Sequence, residues 1–181
     1  MYIQPCCIDR QLPEVLRKQK ISFFQSMGDW TTQDLMKAVS CLVMDDCVAI
    51  MAIYKVDAYL LRALRTYLAK GWYKGVVLLT HEDQTELIKG ELSAYLPKVC
   101  YAHNKQIYES EFALTNGHQH LAIAGALLLE KDMHLHNYAA FFDTNRERFY
   151  ELISPFFARI KTSPAIKAED EWVNAVIRNK Y

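Results

Sequence analysis

No run of about 18 apolar residues occurs in this 181-residue chain, so no segment reads as a membrane-spanning helix. Net charge is missing too. Twenty-one basic residues balance 21 acidic ones, which removes the overall field that would gather nucleic acid or an anionic membrane and leaves only local patches. Glycine and proline are scarce, at 6 and 5 residues, and are scattered singly. No linker, repeat or low-complexity tract divides the chain. Among the five cysteines, Cys6, Cys7, Cys41, Cys47 and Cys100, there is no CxxC spacing, and an odd, scattered set suits reduced thiols better than a disulfide framework. The start, from Met1 to Cys7, lacks the basic stretch and apolar run of a secretory signal. The expectation is a soluble cytoplasmic protein with no membrane partner and no cofactor.

What is present is a globular composition, 51% apolar and 23% charged, at a length that suits one domain. Thr31-Thr32-Gln33-Asp34 reads as a helix start ahead of Leu35, Ala38, Val39 and Leu42. Val48 to Tyr54 is unbroken and apolar, as a strand is when both of its faces are covered. Asp57 then caps a helix with Leu60, Leu61, Leu64 and Leu68 on one face, ending near Gly71. Gly75 to Thr80 is a second buried strand. A helix opening at Glu82-Asp83-Gln84 turns Ile88, Leu92 and Tyr95 inward, stops at Pro97, and leads to a strand at Val99 to Ala102. This βαβαβ order requires crossovers, so the expected fold is α/β, with a mixed, largely parallel sheet sandwiched between helices.

The second half changes character. Phe112 to Thr115 and Leu121 to Ala124 flank Asn116-Gly117, a strong hairpin signal. Tyr138 to Phe142 adds a strand, and Thr144 with Glu147 forms a capping box that opens a helix. The expected division is residues 1–160 as the α/β domain and 161–181 as a helical appendage. The apolar stripe Trp172, Val173, Val176 and Ile177 either docks on its own core, the preferred reading, or forms a dimer arm.

The segment Leu121 to Leu129, with Asn137-Tyr138 beyond it, resembles the strand and turn that carry the G-S-x-N signature of phospholipase D-like (HKD) proteins, in particular single-copy forms of prophages and mobile elements. The order of the strands at 48–54 and 76–80 and the short turn Ser26-Met27-Gly28-Asp29 after Ile21 to Phe24 fit the same pattern. The resemblance covers residues about 22 to 157. It implies a phospholipase D-like fold, and a homodimer, because two copies of the family motif make one site.

In that family a histidine attacks phosphorus, a lysine neutralises phosphate charge, and the serine and asparagine of G-S-x-N help to hold the phosphate. Here Gly125 is kept, but Ala126 stands in place of serine and Leu128 in place of asparagine. Counting back across the hairpin puts the H-x-K positions at Glu109 and Glu111, two carboxylates that would repel a phosphodiester. His136 and Asn137 fall beside the same ancestral pocket. A competing register uses His103-Asn104-Lys105, a literal H-x-K, with His103 and Lys105 as the catalytic pair.

Two H-x-H pairs, His118 with His120 and His134 with His136, offer another chemistry. Alternate strand residues share a face, so each pair could present two imidazoles to one metal, with Glu109 or Glu111 as an oxygen ligand. The plainer reading puts His118 and His120 on an exposed hairpin turn and His134 and His136 in a solvated loop. Three functions follow. The favoured one is a catalytically degenerate module that binds or scaffolds nucleic acid or a protein partner. The others are a phosphodiesterase or nuclease using His103 and Lys105, and a metal-dependent hydrolase using the paired histidines.

Overall fold

A computed structural model describes residues 23–31, 46–107, 109–117, 120–127, 134–143, 146–161 and 163–179. Seven strands form one sheet: β1 (Phe23–Thr31), β2 (Cys47–Ile53), β3 (Tyr73–Thr80), β4 (Val99–His103), β5 (Glu109–Thr115), β6 (His120–Leu127) and β7 (His134–Asp143). Their order across the sheet is β1-β7-β6-β5-β2-β3-β4. Four α-helices lie among the described residues: α1 (Ala58–Ala69), α2 (Thr85–Glu91), α3 (Arg146–Lys161) and α4 (Glu171–Ile177).

The expected core elements form for the expected reasons. Every residue of β2 is buried, because helices cover both of its faces. Asp57 caps α1 by accepting from the Leu60 backbone N–H at 2.7 Å. Leu60, Leu61, Leu64 and Leu68 are buried along one stripe of α1. Each contributes gross burial of about 1.5–3 kcal/mol. Gly71, at φ +72°, takes the left-handed conformation that closes α1 and returns the chain to β3.

Side chains alternate across the parallel strands. Val48, Ile50, Ala52, Val77, Leu79 and Cys100 form one core with α3 and α4, to which Phe157, Ile160, Val173 and Val176 contribute. The opposite face meets α1 and α2, where Ile88 and Leu92 are fully buried. The helical sandwich expected from the sequence therefore holds around β2, β3 and β4, and the fold is mixed α/β.

The sheet is not largely parallel. Only β2 with β3 and β3 with β4 run parallel; the pairings β1–β7, β7–β6, β6–β5 and β5–β2 are antiparallel. Connection length accounts for part of this. Helical crossovers join β2, β3 and β4, whereas β5, β6 and β7 follow one another through short links that allow only reversal.

Three local differences have equally local causes. Ser26 to Asp29 is not a turn after a strand: β1 continues to Thr31 and absorbs the irregularity as a bulge between Met27 and Trp30. Thr31 accordingly ends a strand, and the rest of the helix expected after it, with Leu35, Ala38, Val39 and Leu42, lies outside the described residues, as do Ile21, Cys6, Cys7, Cys41 and Thr144. Pro97 does not follow a helix but sits inside a 3-10 turn, Ser93–Lys98. That turn leaves Tyr95 half-buried.

The C-terminal segment is not one helix. Ile166 pairs with Tyr101 on the outer edge of β4, with N–H···O bonds of 2.9 and 3.1 Å. Helix α4 starts only where Asp170 can cap it, accepting from the backbone of Trp172 and Val173. Val173, Val176 and Ile177 are buried in the same core as β2 and β3, so the apolar stripe docks on its own sheet.

Candidate functional site: the carboxyl edge of the sheet

Strands β2, β3 and β4 run parallel and end together, at Ile53, Thr80 and His103. Because β5 is antiparallel to β2, its first residues, Glu109 and Glu111, start from this same edge, with Glu111 paired to Ala52. Strand β6 ends here and β7 begins here. The carboxyl edge of parallel strands is where open α/β sheets commonly bind ligands.

Two bulges fall on this edge. From Glu111↔Ala124 to Glu109↔Leu127, β6 advances three residues against two on β5, so the extra residue lies at Gly125–Ala126. From Met27↔Asn137 to Trp30↔Leu135, β1 advances three against two on β7, so its extra residue lies at Gly28–Asp29, opposite His136. Gly125 pairs with Tyr138. Both neighbours of β7 are thus bulged beside His136, Asn137 and Tyr138. Bulges concentrate where a sheet re-aims its backbone around a site.

Most of the sequence-selected positions therefore converge as backbone on one edge: Glu109, Glu111, Gly125, Ala126, His134, His136 and Asn137. Leu128 and His118 lie outside the described residues. His103 and Lys105 share the edge but not the neighbourhood. Strands β5, β2 and β3 separate β4 from β6, a spacing of about 19 Å at about 4.8 Å per strand.

Among the described residues, His120 does not converge with His134 and His136. His120 is opposite Asp143, at the far end of the β6–β7 pairing from His134. That rung lies nine residue steps along β7 from His134, about 30 Å of extended chain. His120 also does not decorate an exposed turn. It is buried, its Nδ1 lies 2.7 Å from the Thr115 hydroxyl, and its ring meets Tyr150 edge-on at 6.2 Å. Nor do the described residues contain a cluster of three metal-ligating side chains.

His81 is a candidate that sequence patterns pass over. It is the first residue beyond β3, and its ring stacks on Tyr54 with centroids 4.5 Å apart. Its Nδ1 lies 3.1 Å from the Ile107 carbonyl oxygen, a contact that suits an Nδ1–H donor and so fixes both tautomer and ring plane. Its backbone N–H donates to the Tyr54 carbonyl. The available signal was position: a histidine directly after a buried parallel strand.

The loops of the edge are held by side chains. Gln84 spans to the β2–α1 loop, accepting from Val56 N and donating to Val56 O, each at 2.8 Å. The Tyr101 hydroxyl lies 2.8 Å from Thr80 Oγ1, accepts from Gln84 N at 2.8 Å, and approaches Glu82 O at 3.2 Å. Burial raises the Tyr101 phenol above its ordinary range. Outside this network, Asp83 accepts from the Thr85 hydroxyl and backbone N–H, which hold its carboxyl below its ordinary value. Its other oxygen lies 3.9 Å from His103 Nε2, while Lys105 is exposed in the following turn.

Chemically, the edge offers the imidazoles of His81 and His103, Lys55 and Lys105 as exposed cations, and Asp83 as a fixed carboxylate. No helix among the described residues is long and apolar enough to cross a membrane. No family model matches the chain, and no curated protein does.

Proposed function

We propose that this chain is a phospholipase D-like domain that has lost phosphodiester chemistry and works as a binding or scaffold module. The observation that carries the reading is the register of β5 on β6. Glu109 and Glu111 flank the Gly125–Ala126 bulge, so the backbone that would bring His and Lys to the G-S-x-N strand brings two glutamates to Gly-Ala. Carboxylates there disfavour a phosphodiester and supply neither nucleophile nor compensating cation. The double-bulged edge around His136 to Tyr138 is the recognition surface in this reading. Its partner is a nucleic acid segment or a protein, and the chain acts as a homodimer.

The competing phosphodiesterase would use His103 and Lys105, whose distance from β6 removes the support of the family motif. The test is turnover of bis(p-nitrophenyl) phosphate by the purified chain. No turnover above buffer is expected. Turnover that disappears in His103→Ala would overturn the proposal in favour of the phosphodiesterase.

A further inference from the structure

Away from the carboxyl edge, a cavity of about 750 Å³ opens between the end of α3, the segment 163–168 and α4. Its size falls within the roughly 300–1,000 Å³ typical of small-molecule sites. Its floor is apolar: Cys100, Ile160, Ala168 and Ile177 are all buried. Its rim carries two exposed cations, Lys167 and Arg178, and none of its described lining residues is acidic. The nearby acids Asp170 and Glu171 line an adjoining groove with Lys74 and Lys98, and Asn174 and Arg178 border both.

Three backbone carbonyls around the cavity are already engaged. The last carbonyls of α4, at Asn174 and Val176, accept from the backbone N–H groups of Arg178 and Asn179. The Ala168 carbonyl accepts from Asn174 Nδ2 at 3.0 Å. A ligand therefore meets an apolar floor and a rim of positive charge. The complementary molecule has an apolar tail and a single anionic head.

We propose that this cavity binds a medium-chain aliphatic monocarboxylate, with its tail on Ile160, Ala168, Ile177 and Cys100 and its carboxylate between Lys167 and Arg178. The site is independent of the carboxyl edge and of whether that edge retains chemistry. A carboxylate held by two cations gains charge-assisted hydrogen bonds that an amine of equal length cannot make.

The experiment is calorimetric titration of the intact chain with octanoate, octylamine and acetate. It is paired with the alkylation rate of Cys100 at alkaline pH, read by peptide mass spectrometry. Saturable octanoate binding that slows Cys100 alkylation several-fold is expected, with octylamine and acetate at least tenfold weaker. The double variant Lys167→Gln/Arg178→Gln changes only exposed side chains and should fold, which circular dichroism checks. Its octanoate affinity should fall at least tenfold. Octylamine matching octanoate, unchanged affinity in the folded double variant, or saturation without protection of Cys100 would each overturn the assignment, as would no binding at all.

Discussion

Val173 of α4 rests directly on the backbone of Gly75 in β3. A Cβ placed on Gly75 would collide with Val173 Cγ2 and lie 3.0 Å from the Lys98 carbonyl oxygen. Close packing of the C-terminal helix on the sheet thus depends on a residue without a side chain, since any larger one must push α4 outward or displace β4. Gly75→Ala should destabilise the fold by about 1–3 kcal/mol, the usual penalty of overpacking. At roughly 2–4 °C per kcal/mol for a chain of this size, thermal unfolding followed by circular dichroism will show it. Val173→Ala alone opens a cavity and also destabilises, but the double variant should lose less than the sum of the two, because each change relieves the defect of the other.

Tyr101→Phe tests the network that fixes the carboxyl-edge loop. The phenol joins Thr80 in β3 to the Gln84 N–H and the Glu82 carbonyl, and Thr80 keeps its own bond to Glu82 O at 2.6 Å. Removing the hydroxyl leaves the Gln84 N–H without this acceptor in a partly buried place, which should cost about 1–3 kcal/mol. A lower denaturant midpoint with an unchanged m-value is expected, since the chain would expose the same surface on unfolding.

The parts legible in the sequence are those whose signal is local. Asp57 and the leucine stripe specify α1 by themselves, the unbroken apolar run specifies β2, and Asn116-Gly117 specifies the reversal between β5 and β6, where Gly117 takes φ +87°. What was not legible depends on partners distant along the chain. The antiparallel majority of the sheet follows from β5 choosing the free side of β2, which no periodicity encodes. The resemblance made Ser26 to Asp29 a turn, and only pairing with β7 shows it to be a bulge. His120 looked solvated because it follows a hairpin signal, yet Tyr150 of a helix 30 residues later covers it. For the candidate site, the placement of Glu109 and Glu111 beside Gly125 was within reach by counting across the hairpin. For His81 only its position after β3 was within reach, because its contacts are with Tyr54 and Ile107.

Asp83 gives a titration with a worked sign. Hydrogen bonds from Thr85 hold its carboxyl below the ordinary 3.8. A depressed folded-state pKa stabilises the fold above the unfolded value, and that contribution disappears as pH falls through the folded one. Because Asp83 is fully exposed, the readable quantity is its titration midpoint and not stability. Carboxyl NMR should place the midpoint below 3.8, and Thr85→Val, which deletes the hydroxyl donor, should move it upward.

Cys100 should make stability fall at alkaline pH. Burial pushes its thiol from the ordinary 9.0 up to about 11, only partly opposed by a hydrogen bond with the Ala168 backbone. A raised folded-state pKa leaves the contribution intact below the unfolded value, because both states hold the proton there. Above 9.0 the unfolded thiol ionises first, and stability drains until the folded thiol follows near 11. The displacement corresponds to a loss on the order of 3 kcal/mol between those limits, at about 1.4 kcal/mol per unit. Lysines and tyrosines titrate in the same window, so the informative measurement is the stability of the native chain minus that of Cys100→Ala at each pH, by urea denaturation. That difference should be flat from pH 7 to 8.5 and decline toward pH 11. A difference flat throughout would mean that water reaches the thiol, and the floor of the cavity beneath Lys167 and Arg178 would then be wet.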